Sequence, residues 1–387
     1  MTTRPMSPLT PDPQTIVSLV RACAKKPELH IRAWNFIYDL KQSGNHLDRS
    51  VMNSMMYLCG RSGDIAFSRA IFNQLCMSKE SFPDSETLQG LMKSYSLYTP
   101  GQISPILGTE LGITLRTNFF THNVTQFLPG MPPFLPFASD LNATQILAES
   151  RAILSWVKDK RPDLINEHVI NAYLDIASKL KHTDEFISRW NEETEMPILL
   201  QKIKQQEEAV RLRQNNCTAQ AAENENSISN VEVINETDEE RLIIEEKNRQ
   251  IGLLLGPRIP RNQFFYSMAL QSISDEKYLD FAQTVWDERG KYRKLPAFQK
   301  LRSKQKNDSD FAFARSMVSM FARVGHIDEA LAIIKSSRRN HDWHIGNVVE
   351  LYQTLVDIDD FNKIEELKLI CRSSRAFDPF MQDKSKR

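Results

Sequence analysis

The residues best placed to do chemistry are cations. From Lys291 to Lys306 the chain reads K-Y-R-K-L-P-A-F-Q-K-L-R-S-K-Q-K, so that Lys291, Arg293, Lys294, Lys300, Arg302, Lys304 and Lys306 interleave with Tyr292 and Phe298. Cations neutralise phosphates and release counterions, and rings stack on unpaired bases, so the mixture fits a single-stranded polynucleotide. A solvated loop between helices has the same composition. Arg338 and Arg339 would extend the patch. Other chemistry finds little support. His341-Asp-Trp-His344 sets two imidazoles three residues apart, within reach of one metal, but no third ligand stands nearby. No Ser, Cys or Lys lies in a nucleophile context, and no carboxylate pair is set for acid–base work. Neither G-x-x-x-x-G-K-[ST] nor G-x-G-x-x-G occurs. The expectation is a protein that binds rather than catalyses, with no cofactor and no metal.

Composition agrees with a folded, neutral chain: 387 residues, 41% hydrophobic and 25% charged, with 49 basic and 49 acidic side chains. A zero total neither demands nor excludes nucleic acid, because what matters is whether cations gather on one face. Five cysteines (Cys23, Cys59, Cys76, Cys217, Cys371) form no C-x-x-C pair. Their odd number and wide spread predict free thiols in a reducing compartment. The opening MTTRPMSPLTPDP holds one arginine and too many prolines for an amphipathic targeting helix. A cleavable presequence is therefore absent, or the chain begins downstream of one. No apolar run nears the roughly 18 residues needed to span a bilayer, so no membrane span is expected.

The elements that must position these residues are helices. Ile16, Leu19, Val20 and Cys23, then Ala33, Trp34, Ile37 and Leu40, recur at helical spacing on either side of Pro27. The pattern returns with Met52, Met55, Met56 and Cys59, read as core, and with Ile65, Ala70, Ile71 and Leu75. Gly63 sits at the turn and Asp64 is placed to cap. Cys23 and Cys59 fall 36 residues apart. A helical hairpin cannot bury its apolar face alone, so the fold class predicted is all-α: a right-handed α-solenoid of helical hairpin repeats. Two segments interrupt it. Residues 99–148 are rich in Pro and Gly, with Phe127, Phe134 and Phe137, and read as an insertion lying on the repeats or docking on a partner. Residues 201–256 carry a run of acids from Glu223 to Glu246 and read as a largely disordered linker. The predicted organisation is thus repeats at 1–98, the insertion, helical repeats at 149–200, the linker, repeats at 257–376 and a frayed tail at 377–387.

The stretch S-M-V-S-M-F-A-R-V-G-H-I-D-E-A-L-A-I-I, with Gly325 at its turn and small Ala330 after it, resembles the pentatricopeptide repeat. So does Arg61-Ser-Gly-Asp-Ile-Ala-Phe-Ser-Arg-Ala-Ile-Phe with its closing Phe82-Pro83-Asp84. Tetratricopeptide repeats share the geometry, but the 36-residue period and the missing W…L-G…Y pattern favour the former. The resemblance implies single-stranded RNA in a groove lined by each repeat's first helix. One polar residue there, working with the last residue of its unit, would read one base. On that register Asn53 and Asp84 form a uracil-preferring pair, and Val17 with Asp48 reads poorly. Gln89, Asn171, Tyr266 and Arg315 fall near the reading position, give or take one residue. Asn53 could equally be an exposed helix residue with no partner. The order of elements also resembles fungal mitochondrial pentatricopeptide factors that process small-subunit (15S) ribosomal RNA and take part in intron removal. This implies a matrix protein with that RNA, small-subunit assembly factors or a nuclease as partners. The alternative is a tetratricopeptide-like scaffold that binds protein.

Overall fold

In the computed structural model, carboxylates and amides at helix starts set the register of the fold. The structure describes residues 12–45, 47–77, 82–99, 109–114, 141–196 and 258–371. Most of the Pro-rich stretch with its three phenylalanines, the acidic tract, Cys217 and the tail lie outside them. The described residues divide between two units, Met1–His182 and Thr183–Arg387.

In the first unit, α1 (Pro13–Cys23), α3 (Arg49–Ser62) and α5 (Ser85–Leu97) begin after Asp12, Asp48 and Asp84, each 36 residues after the last. A cap side chain satisfies backbone N–H groups that a helix start leaves open. Asp48 accepts from the Val51 amide at 2.9 Å, and Asp84 closes a capping box with Thr87. Asn142 and Asn166 do the same for α7 (Ala143–Lys160) and α8 (Glu167–Lys179). The second helices are α2 (His30–Gln42) and α4 (Ile65–Met77), the latter capped by Asp64 at the Phe67 amide as expected. Gly63 ends α3 at φ 68°, and a β-carbon there would lie 2.6 Å from the Leu97 carbonyl oxygen, so the tight turn requires glycine.

First helices pack side by side in the order α1, α3, α5, α8. Helix α3 is therefore enclosed almost all round: Met52, Met55, Met56 and Cys59 are buried, as their spacing predicts. Between α5 and its partner α7 stands the long connection that carries the short helix α6 (Glu110–Thr114). Helix α7 nonetheless takes a second helix's place. Glu149 on its inner side accepts from Arg69 of α4 at 2.6 and 3.0 Å and from the Tyr95 hydroxyl of α5. Trp156 packs on Phe72 and Phe82. The insertion thus falls within the third hairpin, between α5 and α7.

The second unit opens with α9 (Thr183–Glu193) and a two-residue strand β1 (Thr194–Glu195), which pairs in parallel with β2 (Ile259–Pro260). Hairpins follow: α10 (Gln263–Ser272) with α11 (Leu279–Tyr292); then, after the short α12 (Pro296–Gln299), α13 (Ser303–Val324) with α14 (Ile327–Ser337); then α15 (Val349–Asp357) with α16 (Phe361–Ile370). First helices again lie adjacent in the order α10, α13, α15. Gly325 ends α13 at φ 91° and Ala330 is fully buried, both as the sequence indicated. Val318, Leu331, Ile334, Trp343, Leu351, Leu355 and Leu367 form the core of these last hairpins. The described residues are all-α apart from the two short strands, and none of their helices is long and apolar enough to cross a membrane. Among the described residues the free cysteines are Cys23, Cys59, Cys76 and Cys371.

Candidate nucleic-acid interface

The caps give a common origin for counting along each first helix. Five residues beyond the caps Asp48, Asp84 and Asn166 stand Asn53, Gln89 and Asn171, whereas Arg315 lies within α13, thirteen residues beyond its N-cap Arg302. Gln89 and Arg315 are exposed and Asn171 is half-buried, with its Oδ1 free of hydrogen bonds. Five beyond Asn262 comes Ser267, not Tyr266. Tyr266 is fully buried and donates to Glu288 at 2.8 Å, so it is a core residue and its assignment to the reading position is corrected. Burial, Glu288 and that hydrogen bond all push its hydroxyl pKa up.

The structure brings Asn53 and Asp84 together, in contact with each other. Asn53 Nδ2 donates to Asp84 Oδ2 at 2.9 Å and the Thr87 hydroxyl donates to Asn53 Oδ1 at 2.6 Å. Asn53 is only 5% exposed, which overturns the reading of it as a solvated residue without partners. Its second N–H points to Glu86 at 3.4 Å, and Glu86 forms an ion pair with Arg21 of α1. One Oδ1 lone pair and this weakly held N–H are what the amide has left to offer. Burial raises the Asp84 carboxyl, but hydrogen bonds from Thr87 and Asn53 and the charge of Arg49 outweigh it, leaving the group below its ordinary value. Farther along the same row Lys93 pairs with Asp175. The face of this unit is a chain of internal polar contacts rather than a basic trough.

In the second unit the cations separate into two kinds. Lys291, Lys294, Lys300, Arg302 and Lys304 are exposed and form no ion pair among the described residues, whereas Arg293 is bound to Asp310 at 2.9 Å. Their interleaved rings do not face solvent. Phe298 is 2% exposed and Tyr292 half-buried, so the expected stacking platform is corrected to core packing. Tyr292 packs on both Tyr266 and Phe298. At the centre of this cluster stands a residue the sequence reading passed over, Arg289. It is 2% exposed, with its guanidinium 4.8 Å from the Phe298 ring centre, 5.3 Å from Tyr292 and 5.6 Å from Phe313. Its Nη2 donates to Ser309 and Asp310, while Nε and Nη1 have no hydrogen-bond partner. Burial pulls its pKa down from the ordinary arginine value and Asp310 opposes the fall. One signal was available: Arg289 continues the buried helical face Ala282–Val285 by four residues.

His341 lies flat on Phe311 at 5.0 Å, and among the described residues no three His, Cys, Asp or Glu side chains gather as metal ligands.

No protein-family model matches the chain. Its similarity lies with individual fungal proteins, each named mitochondrial 15S rRNA processing factor CCM1. That of Debaryomyces hansenii is 28% identical over 379 residues, covering 93% of this chain and 47% of that protein. That of Komagataella phaffii is 26% identical, covering 95% and 49%. The Meyerozyma guilliermondii protein is 32% identical over 289 residues, covering 73% and 41%. The chain is a homologue of these factors. It spans about half the length of the relatives it matches. Among solved structures, the maize pentatricopeptide repeat protein PPR10 aligns over 97% of this chain and 51% of that one at 12% identity. The TM-score of that overlay is 0.26. The repeat character rests instead on the 36-residue caps and the row of first helices.

Proposed function

We propose that this chain binds single-stranded RNA and acts in mitochondria on the small-subunit ribosomal RNA precursor, assisting its processing without catalysing a step itself. The observation that carries the reading is the similarity, across nearly the whole chain, to proteins named for that process. The repeat geometry supports it, since rigid first helices side by side can hold splayed bases at fixed spacing. Gln89 and Arg315 would meet bases with exposed polar atoms, and Asn171 with its unsatisfied Oδ1 once that covered oxygen is opened to the groove. Asn53 with Asp84 would read a base only once the Arg21–Glu86 pair opens, and an exposed pair of this kind is worth no more than about 1 kcal/mol. Lys291, Lys294, Lys300 and Arg302 would meet phosphates, and Arg293 only where a phosphate displaces Asp310 from it. The matrix is the compartment this substrate requires, and a nuclease or small-subunit assembly factor would act on the bound precursor.

The test is direct binding. The purified chain should retain single-stranded RNA from the small-subunit precursor, with affinity falling steeply as salt rises. Binding to unstructured peptides with shallow salt dependence, and none to RNA, would establish the protein scaffold instead.

A further inference from the structure

The cationic stretch of the second unit holds its rings inward and its charges outward, and Arg289 is the reason. In a solvated loop, Tyr292 and Phe298 would be free to stack on bases. Here both turn onto one buried guanidinium together with Phe313. The cage fixes the loop at three points: Tyr292 at the end of α11, Phe298 within α12, and Ser309 and Asp310 on α13, which Arg289 Nη2 holds at 2.8 and 3.0 Å. Asp310 turns its other oxygen to Arg293 at 2.9 Å, so one carboxylate serves two guanidiniums. Between Lys291 and Lys306 there is no acidic residue. Asp310 is thus spent on Arg289 and Arg293, while Lys291, Lys294, Lys300, Arg302 and Lys304 are exposed and form no ion pair among the described residues.

We infer that residues 291–306 form a rigid shelf that binds the sugar–phosphate backbone of RNA without reading bases, held in place by Arg289 as a positioning residue. The inference rests on the RNA-binding reading above and specifies what this part of the interface recognises. A mobile basic loop would combine charge with stacking and so favour some bases. A shelf with its rings buried offers only ammonium and guanidinium groups, and phosphates are alike in every sequence. Arg302 and Lys304 at the start of α13, Lys300 beside α12 and Lys291 and Lys294 around the end of α11 present such groups. Their spacing depends on the cage, because α11, α12 and α13 meet there.

The experiment measures RNA affinity against salt for short oligo-uridylate, oligo-cytidylate and oligo-adenylate, using the full chain. Replacing Lys291, Lys294, Lys300, Arg302 and Lys304 together by Gln leaves the cage intact. Each phosphate contact on a single strand contributes about 0.7 to the logarithmic salt slope, so losing five would lower it by up to about 3.5, equally on all three RNAs. Arg289→Met should lower the slope in the same base-independent way while the surface cations remain, with a cooperative melt as the control for folding. Phe298→Leu, which keeps an apolar plug but removes a ring, is the second variant should Arg289→Met not fold. A slope unchanged in the Gln variant, or a loss confined to one base, would overturn the shelf. An unchanged slope in the folded Arg289 or Phe298 variant would overturn the positioning role. If the unaltered chain binds none of these RNAs, the RNA-binding reading fails, and the shelf with it.

Discussion

Replacing Asn53 by Ala separates two roles that coincide at one side chain, a strut between neighbouring first helices and a reader of bases. In the structure the strut is explicit: Asn53 on α3 donates to the Asp84 carboxylate at 2.9 Å and accepts from Thr87 at 2.6 Å, both at the start of α5. A hydrogen bond to a charged acceptor contributes about 1.5–3 kcal/mol and a neutral one about 0.5–1.5 kcal/mol. The Thr87 hydroxyl keeps Asp84 Oδ1 at 3.0 Å when Asn53 is gone, so no donor is orphaned and the loss stays near the lower end. The expectation for Asn53→Ala is therefore a destabilisation of about 2–3 kcal/mol. Urea unfolding would read it, together with faster amide exchange in the first turn of α5. The sign at acid pH follows. The folded Asp84 pKa lies below its unfolded value, so its contribution is present above the unfolded pKa of about 3.9 and lost as pH falls through the folded one. Asn53→Ala should flatten that loss, because one of the bonds lowering the pKa has been removed. A destabilisation under about 0.5 kcal/mol, with unchanged exchange at α5, would refute the strut.

Further outcomes follow from neighbouring contacts. Glu86→Gln removes a carboxylate from the face of the first unit and frees Arg21, so RNA affinity should rise a few-fold, read by fluorescence anisotropy, with little change in melting. Gly90→Ala would set a β-carbon 2.5 Å from Met56 Cγ and 3.2 Å from its carbonyl oxygen, where α3 and α5 cross. A loss of about 1–3 kcal/mol by denaturant unfolding is expected, since only the methionine side chain can yield. Burial raises the carboxyl of Glu195, 4% exposed with an unpartnered oxygen, against the pull of Arg258 and Arg261. Its contribution to stability is thus present below its unfolded pKa and lost as pH rises through the folded one. Glu195→Gln should raise the melting temperature of the second unit near neutral pH and weaken its pH dependence.

The helical fold was legible because it rests on local spacing. Gly63, Asp64 and Gly325 act at the turns where their residue types place them, and the Met52–Met56 stripe is core. The interface was less legible because it depends on which face a residue turns. Asn53 and Asp84 were matched by position, yet the sequence carries no sign that they bond each other, a contact between helices 31 residues apart. Tyr266 missed the reading position by one residue, enough on a helix to rotate a side chain by about 100° from face to core. Phe298 and Tyr292 were read with the cations around them, whereas their partner Arg289 precedes that run and becomes visible only when α11 is viewed as a buried face. The split of the third hairpin was hidden for a similar reason: Glu149 finds Arg69 from 80 residues away.

Whether this chain holds ribosomal RNA is decided by cross-linking in cells followed by sequencing of the bound RNA. Reads should concentrate in the mitochondrial small-subunit precursor and be depleted when the five exposed cations from Lys291 to Lys304 are replaced by Gln. Recovery of no RNA above the uncross-linked control, or of transcripts without any mitochondrial enrichment, would contradict it.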